Sequence, residues 1–128
     1  MAKPKTTWEL ASYGIYSEWD GDAKTLPKIR EFSRTVPALP GTEFGYVLKI
    51  RKGKGKKLTF CIEHPPFLGS DGQVAPPFTG EVYVRTNDWD FFLGDSVWEP
   101  VSDKVGAWRL ITRLEGEVIA DETFEIGG

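Results

Sequence analysis

From Glu43 to Arg51 the apolar residues fall on alternate positions. Phe44, Tyr46, Leu48 and Ile50 lie on one side and Glu43, Lys49 and Arg51 on the other, with Val47 the only break in the polar side. A period of two marks a strand with one face in a core. Leu58, Phe60 and Ile62 alternate in the same way with Lys57, Thr59 and Glu63. The glycines of the intervening Lys52-Gly53-Lys54-Gly55-Lys56 permit a tight reversal, so the two runs are expected to form a hairpin. A second hairpin is expected at the end of the chain. Trp108, Leu110, Thr112 and Leu114 share a face, Glu115-Gly116 turns, and Val118, Ala120, Phe124 and Ile126 return. Glu122 falls on the apolar parity of that return strand, which predicts a bulge between Ile119 and Thr123 that turns it outward.

Three more strands complete the pattern. Trp8 and Leu10 share one parity while Tyr13 and Ile15 take the other, so the first strand should kink near Ala11-Ser12 and pair with one sheet, then the other. Ile29 to Val36 forms a strand stopped by Pro37, and Gly80 to Thr86 alternates Val82 and Val84 inward with Glu81, Tyr83 and Arg85 outward. No stretch of ten or more residues has capped helical spacing. About seven short strands, separated by Pro- and Gly-rich intervals, predict an all-β, antiparallel two-sheet sandwich rather than a barrel. Two hairpins and longer crossovers suit Greek-key connections. With 128 residues, no internal repeat and no linker, the chain is expected to be one domain, 1–128.

Composition narrows the classes. With 40% hydrophobic and 27% charged residues the chain is globular. No run approaches the roughly 20 apolar residues of a membrane-spanning helix. The opening Met1-Ala2-Lys3-Pro4 is followed too soon by Trp8-Glu9-Leu10 for a secretory leader. A single cysteine, Cys61, leaves no internal disulfide and no cysteine cluster for zinc, and a cytoplasmic location is the expectation. Arg51, Lys52, Lys54, Lys56 and Lys57 are five of the sixteen basic residues, so the remainder sets eleven basic against nineteen acidic groups. An acidic body with one basic loop argues against nucleic-acid binding.

Three phrases carry a family resemblance: Tyr13-Gly14-Ile15-Tyr16, then Val36-Pro37-Ala38-Leu39-Pro40-Gly41-Thr42-Glu43-Phe44-Gly45, then His64-Pro65-Pro66. With Gly106-Ala107-Trp108 they run in the same order as in a bacterial family, domain of unknown function 3859, and span nearly the whole chain. The resemblance implies an immunoglobulin-like sandwich. It implies no activity and brings no catalytic residues.

The candidate chemistry is sparse. His64 is the only histidine; as a general base or metal ligand it would work with Glu63 or Asp71 at the end of the sandwich, the basis of a rival reading as a small hydrolase or carbohydrate-binding protein. The bland alternative is an imidazole bonded to backbone in the proline-rich loop. Asn87, Asp88 and Asp90 offer oxygens for calcium but lack the spaced loop pattern, and a solvated strand face accounts for them. Arg51 to Lys57 has no phosphate-loop signature and no interleaved aromatics for base stacking. No catalytic set, metal or cofactor is expected.

Two segments hold aromatics outside the alternating strands. Asp88 to Glu99 mixes Trp89, Phe91, Phe92, Leu93, Val97 and Trp98 with Asp88, Asp90, Asp95 and Glu99 and no basic residue, and the parity sets Phe92 opposite the core-facing Trp89, Phe91 and Leu93. Pro65 to Pro77 carries Phe67 and Leu68 on a loop stiffened by proline. Aromatic residues on rigid loops are the material of interaction hot spots. His64, Phe67, Leu68, Phe92 and Trp98 are therefore the expected binding residues of a non-catalytic module for another protein, with self-association through a sheet edge as an accessory mode.

Overall fold

The structure, a computed structural model, describes residues 5–16, 28–69 and 71–127. Met1 to Pro4, read above against a leader, lie outside the described residues. The strands are β1 (Thr7–Tyr16), β2 (Ile29–Glu31), β3 (Thr35–Val36), β4 (Glu43–Arg51), β5 (Lys57–Glu63), β6 (Phe78–Tyr83), β7 (Asp88–Ser96), β8 (Gly106–Leu114) and β9 (Glu117–Ile126). They form two sheets, in the orders β2-β1-β4-β7 and β3-β9-β8-β5-β6. Every pairing is antiparallel except β3 with β9, which is parallel.

The core is the sum of the inward parities. Phe44, Tyr46, Leu48 and Ile50 of β4 meet Leu58 and Ile62 of β5, Trp108, Leu110 and Leu114 of β8, and Phe124 and Ile126 of β9. A polar bond crosses this layer: the Tyr46 hydroxyl lies 2.6 Å from Thr112 Oγ1, both groups buried. Burial pushes the Tyr46 hydroxyl above the ordinary phenol range, so it stays neutral and satisfied.

Four sequence expectations are corrected. β4 and β5 do not form a hairpin; they lie in different sheets, and Lys52–Lys56 is a corner between layers. Its backbone bonds go sideways to the β6–β7 corner: Lys52 N–H to Asn87 O at 2.7 Å, Gly55 N–H to Val84 O at 2.8 Å, and Val84 N–H to Lys56 O at 2.9 Å. Two crossovers thus clasp each other. Gly53, buried, packs against Ile50, Thr6 and Val84.

The kink in β1 is a bulge at Ala11, between the pairs Leu10–Leu48 and Ser12–Val47. The extra residue resets the phase, so Trp8, Leu10, Tyr13 and Ile15 all stand opposite core-facing residues of β4. β1 therefore keeps to one sheet. The change of sheet happens in the Ile29 to Val36 segment, which breaks into β2 and β3 on opposite layers.

The bulge in β9 falls at Ile119, skipped between the pairs Thr112–Ala120 and Arg113–Val118. It does not turn Glu122 outward, because Glu122 stands opposite fully buried Leu110. Its carboxylate is neutralised instead, by Arg34 Nη2 at 3.0 Å and Nε at 3.2 Å, and Arg34 lies 4.2 Å from the Tyr13 ring centre. This trio bridges the two layers along one flank.

Gly45 and Gly94 are cross-strand partners on β4 and β7. A Cβ on Gly45 would fall 2.1 Å from Leu93 O, and one on Gly94 would fall 2.2 Å from Phe44 O. Both obstacles are backbone, so neither can swing aside. We expect Gly45→Ala to cost about 3 kcal/mol in chemical denaturation. Unchanged stability would show that β4 and β7 do not approach as described.

Candidate functional site

β5 ends at Glu63, and the chain turns through His64 into the proline-rich loop that returns at Phe78, the start of β6. The His64 ring is held on all sides. Nδ1 lies 2.8 Å from Pro65 O and Nε2 2.8 Å from Pro76 O. The ring centre is 4.3 Å from that of Phe67, 4.7 Å from Phe78 and 5.6 Å from Trp108. With both ring nitrogens facing carbonyl oxygens at hydrogen-bond distance, neither nitrogen is open to a substrate. Glu63 instead approaches Arg109 at 3.8 Å, and Asp71 Oδ1 accepts the Gln73 N–H. The expected base with its carboxylate partner is not assembled, and His64 clamps the two ends of the loop together.

The loop is a small hairpin in its own right. Ala75 N–H donates to Phe67 O and Gly69 N–H to Gln73 O, both at 2.8 Å, while Leu68 and Val74 face each other across an isolated antiparallel bridge. The alternation splits the loop into two faces. Phe67, 8% exposed, points into the sandwich end, and Leu68 and Val74 point out at 66% and 61% exposure. The expectation of an exposed Phe67 is corrected, and that of Leu68 as an outward apolar group agrees with the geometry.

Beneath Phe67 lies an aromatic cluster. Trp98 meets it edge-on at 5.5 Å and Trp108 stacks at 6.4 Å. Trp98 is half-buried against Phe67, Phe78 and Trp108, so it supports the loop rather than extending a separate contact patch. Lys104, only 2% exposed, follows a 3-10 turn at Val101–Asp103 and sets its ammonium 4.7 Å from the Phe67 ring and 4.6 Å from that of Trp98. The ammonium also donates to Pro100 O at 3.1 Å and pairs with Asp103. A buried cation is tolerable when rings, a carbonyl and a carboxylate replace its water. Nothing in the one-dimensional pattern marked Lys104. Nor did it mark Val74, since an Asp71-Gly72 two-residue turn would set Ala75 rather than Val74 opposite Leu68.

Phe92 belongs elsewhere. It lies on the outer face of β7, as its parity indicated, but is only 7% exposed. Tyr16 meets its ring edge-on at 5.0 Å, and Val47, the residue that broke the polar parity of β4, packs with both. It is part of a second small core and not of the contact surface. Two of the three candidate calcium ligands are engaged elsewhere: Asn87 Oδ1 accepts the Lys54 N–H, and Asp88 pairs with Arg51.

Comparison with known proteins agrees with the fold. Residues 4–126 match the family described as Domain of unknown function (DUF3859). The crystal structure of an immunoglobulin-like protein from Pseudomonas aeruginosa superposes with a TM-score of 0.78 at 19% identity, covering 99% of this chain and 100% of that one. The two-sheet sandwich is thus immunoglobulin-like. A Pseudomonas fluorescens alkylpurine DNA glycosylase, AlkC, bound to DNA containing an abasic-site analogue, overlaps at a TM-score of 0.42 and 12% identity, over 74% of this chain and 28% of that one; overlap that low carries no argument. No curated protein matches the chain by sequence.

Two outcomes test this arrangement. His64→Ala should cost about 2 kcal/mol and make the 64–77 loop the first site of proteolysis. Asp95 stands opposite Phe44 on β7, and burial pushes its carboxyl above the ordinary range, against the opposing pull of the Ser96 N–H and His64. A raised folded-state value favours folding below the unfolded-state value, and that benefit is lost as pH rises through the folded-state value. Asp95→Asn, which keeps the oxygen that accepts the Ser96 N–H at 2.8 Å, should therefore melt higher than the parent at neutral pH and lose its lead in acid.

Proposed function

Because the chain belongs to DUF3859, a family defined by sequence and fold and not by an activity, we propose from its geometry that it is a non-catalytic protein-interaction module that contacts its partner through the tip of the 64–77 loop. The observation that carries this reading is the two-faced loop. Its inner face, Phe67 and His64, is fastened to the aromatic cluster, while its outer face presents Leu68 and Val74 side by side.

Rigidity matters here for a thermodynamic reason. A loop that is ordered before binding loses little conformational entropy in the complex, so even two aliphatic side chains contribute most of their burial to affinity. Pro66, exposed beside Leu68, adds apolar surface without rotamer freedom. Connecting loops at the end of a rigid sandwich are a common location for recognition.

The test uses the full chain as bait in host lysate beside a Leu68→Ser, Val74→Ser chain, with the captured protein then purified and titrated directly. Both substitutions are on the solvent side, so melting should be unchanged while affinity for that protein falls about tenfold or more. Equal affinity of the two chains in the direct titration would remove the loop tip from the interface.

A further inference from the structure

Among the described residues, one flank of the sandwich is closed over only half its length. β2 pairs with β1 at Ile15 and Tyr16 alone, and β3 pairs with β9 at Glu125 and Ile126 alone. The Arg34–Glu122–Tyr13 bridge seals the adjoining stretch. Beyond it, among the described residues, no strand lies on the outer edge of β1 from Thr7 to Tyr13. Trp8 and Leu10 sit on the core-facing parity of this stretch and are each 37% exposed. In the rest of the same sheet, core-facing residues such as Leu48 and Ile50 are fully buried.

We propose that this half-edge is where a second copy of the chain pairs, β1 against β1 in antiparallel register, with Trp8 on the twofold axis. A row of edge N–H and C=O groups is recognised by extended backbone, as in strand addition to any open sheet. Half-exposed apolar residues at every second position call for an added strand with the same alternation. β1 itself has it.

The register follows from charge. With Trp8 on the axis, Thr6 stands opposite Leu10 of the second copy, Thr7 opposite Glu9, and Lys5 opposite Ala11, where the bulge ends the regular ladder. Lys5 is then diagonal to Glu9 of the other copy, within reach for long side chains, and twofold symmetry makes two such pairs. Lys5 and Glu9 are both exposed in the single chain. Placing Glu9 on the axis would instead set two carboxylates face to face, which costs stability. Pairing extends the β2-β1-β4-β7 sheet through the dimer and covers Trp8 and Leu10 on both copies.

Sedimentation of the full chain over a wide concentration range tests this. We expect a monomer–dimer equilibrium that Leu10→Lys abolishes and that Glu9→Lys weakens about tenfold, through two symmetric repulsions with Lys5. Combining Lys5→Glu with Glu9→Lys should restore it. The Leu68→Ser, Val74→Ser chain should dimerise like the parent, which separates this surface from the loop tip. A chain that stays monomeric at every concentration overturns the proposal. So does a dimer indifferent to Leu10→Lys, or one lost when Leu68 and Val74 are changed.

Discussion

The indole N–H of Trp108 is the constraint around which one end of this protein is arranged. The side chain is fully buried, and a buried donor without an acceptor costs about 1–3 kcal/mol. Its acceptor is Lys104 O at 2.8 Å, so the chain between β7 and β8 must fold back over the sandwich end. That return brings the Lys104 ammonium over Phe67 and Trp98. Phe67 in turn fixes the inner face of the proline-rich loop, and His64 ties the loop's two ends. On its other side the indole packs edge-on against Phe44 at 5.6 Å, in the centre of the core. One hydrogen bond thus couples the core to the segment that meets the outside.

Much of the architecture was legible because parity is a local property. The inward sets of β4, β5 and β8 follow directly from alternation, as does the phase break at Ala11. What alternation does not contain is the identity of a strand's neighbour. Lys52-Gly53-Lys54-Gly55-Lys56 satisfies the backbone needs of a hairpin and of an arch between layers equally well. The arch forms because β4 is paired on both sides, by β1 and β7, and β5 by β8 and β6. The same gap explains Glu122: the pattern showed a charge on the inner parity, but not that Arg34, 88 residues away, would meet it.

At the candidate site the sequence marked which residues would meet better than how exposed each would be. His64, Phe67, Leu68 and Trp98 do converge at one end, but three of them turn inward to build a platform for the fourth. Phe92 illustrates the opposite case. Its outward parity was correct, yet Tyr16 and Val47 cover it from the same face, and the lone break in β4's polar side was the clue to that cover. The single basic concentration in the sequence has a comparable fate. Arg51 and Lys57 are spent on Asp88 and Glu81, so a run that looks like a cationic patch is partly an ion-paired corner.

The clasped corners carry a consequence for how the chain reaches this state. Since the β4–β5 and β6–β7 crossovers take their backbone partners from each other, neither is complete until segments some thirty residues apart have met. Closing such loops loses chain entropy before most contacts reward it, which places the protein among slow, topology-limited folders, in the range of about milliseconds to seconds. The β8–β9 turn is the contrasting local element, and nucleation on that side would leave the corners to lock last. The rate at which this end of the molecule assembles is then set by the meeting of two connections and not by any single strand.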